Sequence, residues 1–299
     1  MNDAKQQNPQ NFSNYVVSFL DLLGQTDKLL ATPLLVPSPS ETEEFEKFKA
    51  GLINTFVPTT LIQQDFESAF NPAPESPEEQ AAPEEIQKGF RQFKENRVKF
   101  QRFSDGHTAY LNLCGEEEFG RSYNISRIIT GCCFVMISSL SREHPIRGGI
   151  SIGWGVEFES NFYGAVIARA HHLESHVACY PRVVVDKQVV EYLQETVHDP
   201  NTTSLRIKGD KSMAKLALSH ICQDSYDGHW IIDYLCPEHL AIYKENDAMD
   251  LIFNAYSFVK KEKLSYSANG SLTDTKLAMR YAMLDHYFTQ RLTQAGVLT

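Results

Sequence analysis

The sequence predicts an α+β fold in which a mostly antiparallel sheet carries helices packed on it. Short apolar runs of strand length alternate with longer stretches in which apolar residues recur every three or four positions. Two pairs of short runs are joined around an Asp-Gly dipeptide, at Asp105-Gly106 and at Asp227-Gly228, which is typical of antiparallel hairpins. At 299 residues the chain can bury the core of one large domain or of two small ones.

The first half of the chain has the element order β-α-β-β-α-β. These elements are a buried strand over 15–21, a helical region after Gly24, a hairpin of strands 98–104 and 107–113, a helix over 123–140 and a strand over 146–153. An acidic, proline-rich loop at 71–85 and a helix at 84–96 precede the hairpin. This order predicts a ferredoxin-like palm, which is usually an antiparallel sheet with helices on one face.

The second half adds further helices and a second hairpin. We predict a helix over 162–175 with Gly164 at its start, a strand at 183–185, a helix beginning at 189–193, hairpin strands at 216–222 and 229–235, and a mostly helical tail over 238–294 interrupted at 265–271. The predicted domains are a palm domain at 1–236 and a C-terminal helical extension at 237–299 that packs on it.

Composition restricts the classes of partner. The net charge of −10 gives no basic surface for nucleic acid or for an acidic membrane, and no apolar run approaches the ~20 residues that span a bilayer. The N-terminus is polar and lacks the apolar core of a signal peptide. Six cysteines without a CxxC spacing indicate buried thiols in a reducing compartment. We therefore expect a cytoplasmic protein with no nucleic-acid or membrane partner.

Two aspartates are the candidate metal ligands. Asp21 leaves the first apolar strand just before Gly24, and Asp105 stands at the tip of the first hairpin. Carboxylate oxygens are the ligands that hard divalent ions prefer, and a pair of such ions can clamp a nucleoside triphosphate. The chain has no GxxxxGK[ST] motif, which excludes a P-loop kinase.

The region from about residue 15 to residue 235 resembles the class III nucleotidyl cyclases, and within them the bacterial pyrimidine cyclases of the Pycsar antiphage systems. The matching segments, in order, are 18–24 (SFLDLLG), 103–106 (FSDG), 145–153 (PIRGGISIG), 162–165 (FYGA) leading to 173–174 (LE), 180–186 (YPRVVVD), and 227–228 (DG) before 232–234 (IDY). The resemblance implies an enzyme that makes 3′,5′-cyclic UMP and pyrophosphate from UTP, as a second messenger that a separate effector protein reads in antiviral defence.

The resemblance also implies roles for individual residues. Two Mn²⁺ or Mg²⁺ ions per site would be held by Asp21, Asp105 and Leu22. The backbone at Leu22, Leu23 and Gly24 would bind phosphates at a helix N-terminus. In this family the metal aspartates come from one protomer and the base-reading residues from the other, so we expect a homodimer with active sites at the interface.

The chain departs from the purine cyclases at the positions that read the base. Gln101 stands where purine cyclases carry a Lys, and Asn161 stands where they carry an Asp. Two amides offer both donors and acceptors and suit a pyrimidine, although they do not separate UTP from CTP. The helix that normally supplies an Asn and an Arg has Ala168 and His172, so Arg169 becomes the candidate catalytic cation.

Several alternatives stay open at this stage. The enzyme can be a cytidylate cyclase or a purine cyclase with unfamiliar selector residues, and the domain can be a non-catalytic, nucleotide-binding regulatory palm, which Ala168 and His172 favour. A zinc site at His171, His172, Glu174 and His176 is a weaker reading, because only two of these histidines share a helix face.

Overall fold

The computed structural model describes residues 12–40, 42–69, 97–113, 120–159, 161–201, 204–269 and 271–298, together with the single residues 81, 84 and 87. The described strands form one sheet of eight, with the order β2-β3-β1-β4-β6-β8-β7 and β5 paired to β4. The strands are β1 Phe12–Leu22, β2 Lys99–Phe103, β3 Gly106–Asn112, β4 Ile146–Phe158, β5 Asn161–Tyr163, β6 Val183–Val185, β7 Ile221–Gln223 and β8 Trp230–Ile232.

Nine described helices pack on or beside this sheet. They are α1 Gln25–Leu30, α2 Thr42–Ala69, α3 Arg121–Ser141, α4 Ala165–His172, α5 Lys187–His198, α6 Leu205–Ser219, α7 Pro237–Glu245, α8 Met249–Asn269 and α9 Leu272–Gln294. A π-helical turn, Leu173–Val177, continues α4. The predicted α+β class with a mostly antiparallel sheet is confirmed: of the described strand pairs only β4 with β6 is parallel.

Strand β1 is central and buried on both faces, which explains its nearly continuous apolar sequence. Val16 and Leu20 belong to the main core together with residues of α3. Tyr15 and Val17 point to the opposite face, where they form a second cluster with residues of β3, β5 and α4. Both faces of β1 are therefore covered, and its free end at Asp21 is where polar side chains can gather.

The C-terminal helices share the main core with the sheet. The Tyr287 hydroxyl donates to Asp233 at 2.8 Å and accepts from the Leu235 backbone N–H at 3.1 Å. Arg291 adds an ion pair to the same Asp233 at 2.7 Å. These contacts join α9 to the segment that follows β8.

Most element predictions hold, with corrections at their ends. The strand predicted at 183–185 is confirmed, and so are the helices predicted at 123–140 and from 189, which run over Arg121–Ser141 and Lys187–His198. The predicted helix at 162–175 is wrong at its start: residues 161–163 pair with β4 as β5, because Phe162 fills the aromatic cluster against Tyr110. The predicted strand 216–222 is wrong up to residue 219, which still belongs to α6, because Ala217 faces the core at helical spacing from Ala214.

Smaller corrections concern turns and the tail. The first hairpin turns at Ser104-Asp105, and Gly106 already pairs with Phe103 in the strands. The tail helix α8 runs on to Asn269, so the predicted break at 265–271 is shorter. The predicted loop at 71–85 and helix at 84–96 fall almost entirely outside the described residues.

The structure also bears on two sequence predictions, that the cysteines are buried thiols and that no apolar segment spans a membrane. The described cysteines are free thiols; Cys132, Cys133 and Cys236 are buried, but Cys179 is exposed, contrary to the expectation of buried thiols. In the described part of the chain one helix, α3, is long and apolar enough to cross a membrane, and most of it is buried inside the fold, as is usual for a core helix.

Candidate functional site

Three strands bring polar side chains together at the end of β1. Asp21 lies opposite Gly106 of β3 on one side and opposite Arg147 of β4 on the other. Asp105 immediately precedes Gly106 at the hairpin tip. Because directly paired residues place their side chains on the same face of a sheet, Asp21 and Arg147 are neighbours on one face. The register therefore brings both predicted metal aspartates to the same edge of the molecule.

A third carboxylate, Glu174 of the π-helical turn, completes this acidic cluster. Arg147 Nε donates to Glu174 Oε1 at 2.5 Å, and Arg147 Nη2 lies 3.6 Å from Asp21 Oδ2. The Glu174 side chain is only 3% exposed, whereas that of Asp21 is 23% exposed. Arg147 thus interacts with both the buried Glu174 carboxylate and the partly exposed Asp21 carboxylate.

The acidic cluster shifts the protonation of Asp21. Burial is the largest cause, followed by the charges of Glu174 and Asp105, and together they raise the pKa of Asp21 from 3.8 to about 7 although Arg147 opposes them. A hydrogen bond between Asp21 and Glu174 contributes in the same direction, and it requires a proton on one of the two carboxyl groups. Once that proton leaves, three carboxylates face one guanidinium.

The side chains of this cluster are of the type that hard divalent cations prefer. The three acidic residues contribute carboxylate oxygens, and Arg147 is the cation placed among them. A cation that replaced the shared proton would relieve the repulsion that raises the pKa of Asp21. Asp21, Asp105 and Glu174 thus offer carboxylate oxygens at one end of the sheet, although they are not among the groups of three described side chains whose ligand atoms lie within 4.8 Å of one another.

The position of Glu174 depends on a close approach of α4 to the sheet. Val166, Ala170 and Glu174 recur every four residues and are all buried, so the carboxylate lies on the apolar stripe of the helix. A Cβ on Gly149 would lie 2.3 Å from the Ala170 carbonyl oxygen and 2.6 Å from the Leu173 Cβ. Only glycine permits this contact. Sequence reasoning assigned Glu174 no role in this cluster; the signal for it was a Glu on an apolar helical stripe.

The histidines near Glu174 do not form the zinc site considered from the sequence. His172 and His176 stack on each other at 4.6 Å between ring centroids. His171 instead faces the acidic cluster, with Nε2 4.0 Å from Glu174 Oε2, and packs edge-on against Phe19. His171 therefore lies beside the Glu174 carboxylate, whereas His172 and His176 interact with each other.

The structure brings the two predicted base-reading residues together. The Gln101 side-chain oxygen accepts a hydrogen bond of 2.9 Å from the Phe162 backbone N–H, next to Asn161. Asn161 itself is exposed on β5. Gln101 of β2 lies opposite Thr108 of β3, and Thr108 lies opposite Phe19 of β1. Phe19 is two residues from Asp21 and therefore on the same face of β1, so Gln101 shares that face with Asp21 but lies two strands away. Gln101 is thus held next to Asn161 through the Phe162 backbone, and both lie apart from the acidic cluster.

Arg169 is placed outside the acidic cluster. Its guanidinium donates to the side-chain oxygen of Gln188 at the start of α5, and the side chain is exposed. It lines a shallow groove of about 410 Å³ together with His172, Asp186 and Gln188. The predicted catalytic cation therefore lies on the opposite side of α4 from Phe19, and Arg147 is the cation that the structure places among the carboxylates.

The predicted phosphate-binding backbone is only partly available. Leu22 is buried within β1, opposite Ile146, and the Leu23 N–H donates to the Pro145 carbonyl at 2.9 Å. Gly24 adopts the left-handed conformation, with φ 78°, before the six-residue helix α1. Gly24 thus remains as the amide that can meet a phosphate, while the Leu23 amide already has an acceptor.

A second groove opens beside the acidic cluster. It encloses about 390 Å³ between Phe19, Trp154, Tyr163, Ile167 and His171. Phe19 is two residues from Asp21, His171 is near Glu174, and Tyr163 follows β5 residue Asn161 by two positions. Its size falls within the range of small-molecule sites, and its walls are mostly apolar and aromatic.

Comparison with known proteins finds no matching family model, no matching curated protein and no matching solved structure. The geometry of the chain itself is therefore the basis for assigning its function.

Proposed function

We propose that this protein is a pyrimidine nucleotide cyclase that converts UTP into 3′,5′-cyclic UMP and pyrophosphate. The observation that carries the proposal is the strand register that brings Asp21 and Asp105 to the same end of the sheet, where burial first, and then the charges of Glu174 and Asp105, raise the pKa of Asp21 to about 7. Acidic groups concentrated in a cleft with perturbed protonation are typical of functional sites. The cyclic product would act as a second messenger in antiphage defence and be read by a separate effector protein.

The strand order supports a ferredoxin-like palm beneath this site. Strands β2, β3, β1 and β4 are adjacent and antiparallel, and helices connect β1 to β2 and β3 to β4. This is the arrangement expected of a split β-α-β unit, and the class III resemblance implies the same arrangement. The remaining strands extend the sheet beyond β4.

Two Mn²⁺ or Mg²⁺ ions per site would be held by Asp21 and Asp105, with Glu174 and the backbone of Leu22 next to them. Such ions, when bound, neutralise the triphosphate and lower the pKa of the ribose 3′-hydroxyl. In the reaction the 3′-oxygen forms a bond to the α-phosphorus, the bond from that phosphorus to the β-phosphate oxygen breaks, and the hydroxyl proton leaves to solvent. Pyrophosphate carries away the electron pair of the broken bond.

The chain's own residues orient the substrate. Arg147, fixed by buried Glu174, presents a guanidinium beside Asp21, where it can contact a phosphate oxygen. Gln101 and Asn161 offer amides to the base, and they stand where purine cyclases carry a Lys and an Asp, which disfavours a purine. Arg169 would contact the triphosphate only after leaving Gln188.

Exposed aromatic side chains support a homodimer. Phe103 next to the hairpin tip is 85% exposed, and Tyr163 is 72% exposed beside Trp154. Large exposed apolar groups close to a predicted site often mark an interface. A symmetric dimer would bury these side chains and bring Gln101 and Asn161 of one protomer toward Asp21 and Asp105 of its partner.

The decisive experiment is incubation of the purified protein with each of the four ribonucleoside triphosphates and Mn²⁺, with products identified by mass spectrometry. We expect cyclic UMP as the main product. Asp105→Asn should lower the rate of cyclic UMP formation by at least about 100-fold, because one charged group of the site is lost. The control variant Asp250→Asn, at an exposed position of α8, should leave that rate unchanged. A main product of cyclic AMP or cyclic GMP would disprove the assignment, and cyclic CMP would change the substrate to CTP.

Mixing two inactive variants tests the shared site. Asp21→Asn removes a proposed metal ligand, and Gln101→Ala removes a proposed base-reading residue; these are the two halves of the proposed site. If the halves come from different protomers, half of the mixed dimers are hybrids with one intact site each, and about a quarter of the wild-type activity returns. If both halves serve the same protomer, mixing restores nothing. Light scattering after gel filtration measures the mass of the assembly.

One observation favours a second candidate, a regulatory palm that binds a nucleotide without cyclising it. Arg147 already forms ion pairs with two of the three carboxylates, which weakens their capacity for metal ions. Nucleotide binding by calorimetry without any cyclic product from the four triphosphates would support this candidate against the cyclase.

A further inference from the structure

A second group of potential metal ligands, separate from the acidic cluster, consists of two histidines and a cysteine in the C-terminal part of the chain. His220, Cys236 and His239 are all buried, at 4%, 1% and 6% exposure, and one potential ligand atom from each lies within 4.8 Å of the others. His220 ends α6 just before β7, Cys236 is the N-cap of α7, and His239 lies in the first turn of α7. We call this group the His-Cys-His cluster.

Hydrogen bonding within the described residues leaves one nitrogen of the cluster unpaired, although the Cys236 thiol has hydrogen bonds to the His239 backbone and the Glu238 side chain. His239 Nε2 is buried and has no hydrogen-bond partner among them. His220 Nδ1 lies 3.5 Å from the Thr130 hydroxyl, and the two imidazole rings are tilted by 43° at 4.5 Å. Buried polar atoms are nearly always paired in native proteins, so an orphaned imidazole nitrogen beside a thiol requires an explanation.

We propose that the His-Cys-His cluster is a structural Zn²⁺ site. Thiolate and imidazole are the donors that zinc prefers, and structural sites of this kind are tetrahedral. With Zn–N of about 2.0 Å and Zn–S of about 2.3 Å, tetrahedral ligand atoms lie about 3.3–3.6 Å apart. Side chains within 4.8 Å of one another therefore need only a small contraction around the ion.

The surroundings offer a candidate source of a fourth ligand and an orienting contact. Glu238 precedes His239 in the first turn of α7 and its side chain is exposed. A water, or the Glu238 carboxylate after a change of side-chain conformation, would complete the tetrahedron. The contact of Thr130 with His220 Nδ1 leaves Nε2 of that ring for the ion, as in many metal sites where the second ring nitrogen is held by another group.

Zinc bound to the His-Cys-His cluster would link the β7–β8 hairpin to the C-terminal helices. His220 belongs to the base of the β7–β8 hairpin, since its carbonyl accepts from the Asp233 N–H at 2.8 Å. Cys236 and His239 begin the C-terminal helices, and their three-residue separation puts both on one side of α7. The ion joins the last strands of the sheet to the helical extension. On binding, the Cys236 thiol loses its proton to solvent and becomes a thiolate.

Metal analysis of the purified full chain tests the site. We expect one equivalent of zinc by mass spectrometry after dialysis, retained in the Asp21→Asn variant, which lacks a carboxylate of the other cluster. Replacement of zinc by Co²⁺ should produce the visible bands of a tetrahedral ion and the near-ultraviolet thiolate charge-transfer band. Removing zinc with a chelator should lower the unfolding temperature by about 5 °C or more, and Zn²⁺ alone should restore it.

Variants separate the site from ordinary packing. Cys236→Ser should abolish the charge-transfer band and the stabilisation by zinc, while Cys222→Ser, a matched change on neighbouring β7, should keep both. If Cys236→Ser fails to fold, the Co²⁺ spectrum of the wild-type chain still decides the matter. Absence of stoichiometric zinc, of the thiolate band and of any effect of Zn²⁺ on unfolding would overturn the proposal, whatever the outcome for the cyclase reaction.

Discussion

Replacing Asp21 with Asn should stabilise the metal-free protein at alkaline pH while it destroys the cation site. The Asp21 carboxylate is held in a cluster whose burial and negative neighbours oppose its charge. Asn keeps the shape and the hydrogen-bonding capacity of the side chain but carries no charge. Residues placed for function at the expense of stability are expected to respond in this way.

The size of the effect follows from the pKa. A rise from 3.8 to about 7 corresponds to about 4 kcal/mol at 1.36 kcal/mol per pH unit. The Asp21 side chain is 23% exposed and water screens it, so we expect about 2 kcal/mol. The folded state binds more protons than the unfolded state between pH 3.8 and 7, and the free energy of unfolding therefore falls as pH rises through that window. The advantage of Asn is small near pH 4, about half complete near pH 5.5 and complete near pH 8.

Urea unfolding of both proteins at pH 5.5 and pH 8 in a chelator measures this difference. Asp250→Asn, a change at an exposed position of α8, should alter the free energy of unfolding by less than about 0.5 kcal/mol at either pH. Added Mn²⁺ should stabilise the wild type at pH 8 but not Asp21→Asn. Equal stability of wild type and Asp21→Asn at pH 8, or a gain that does not change with pH, would refute the reasoning.

Three further predictions concern the acidic cluster, the close contact of α4 with the sheet, and a separate buried ion pair between Arg182 and Asp224. Because protons and cations compete for Asp21, the Mn²⁺ affinity measured by calorimetry should rise about tenfold per pH unit below pH 7 and level off above it; a flat profile contradicts this. Gly149→Ala should cost about 2 kcal/mol or more in urea unfolding, because its Cβ would lie 2.3 Å from the Ala170 carbonyl oxygen, and unchanged stability would show that α4 can retreat. Arg182→Ala should cost about 3–5 kcal/mol in the same assay, because it leaves buried Asp224 without its cation; a loss below about 1 kcal/mol would contradict that view.

The sequence was most informative where a local signal coincides with burial. The strand at 183–185 and the helix at 121–141 are apolar enough to be recognised alone, and both are buried as expected. The positions of Asp21 near the end of β1 and of Asp105 in the hairpin turn also followed from local patterns, since each stands at the end of a strand. Such features depend mainly on the residues beside them, which is why they could be predicted.

Features that depend on distant contacts were missed. Asn161 to Tyr163 form a strand because Phe162 stacks on Tyr110 at 4.1 Å between centroids, a contact across 52 positions of the chain that no local pattern reveals. The pairing of Arg169 with Gln188 likewise depends on how α4 meets α5. Side-chain partners across elements are decided by tertiary packing, so a residue's role could be predicted from the sequence only where its neighbours are local.

The placement of Arg147 shows why three carboxylates can coexist in a folded chain. Its Nε bond to buried Glu174 satisfies the least exposed acid, and the remaining guanidinium face lies 3.6 Å from Asp21. Removing the guanidinium would leave Glu174 charged and unpaired inside the fold, a change that typically costs about 3–5 kcal/mol. Arg147 is thus required for folding before any substrate arrives, and a loss of activity in Arg147→Ala would not by itself reveal a catalytic role. Arg147→Lys separates the two roles: it keeps the charge near Glu174 but loses the planar fork, so retained stability with lost turnover would assign phosphate contact to the guanidinium.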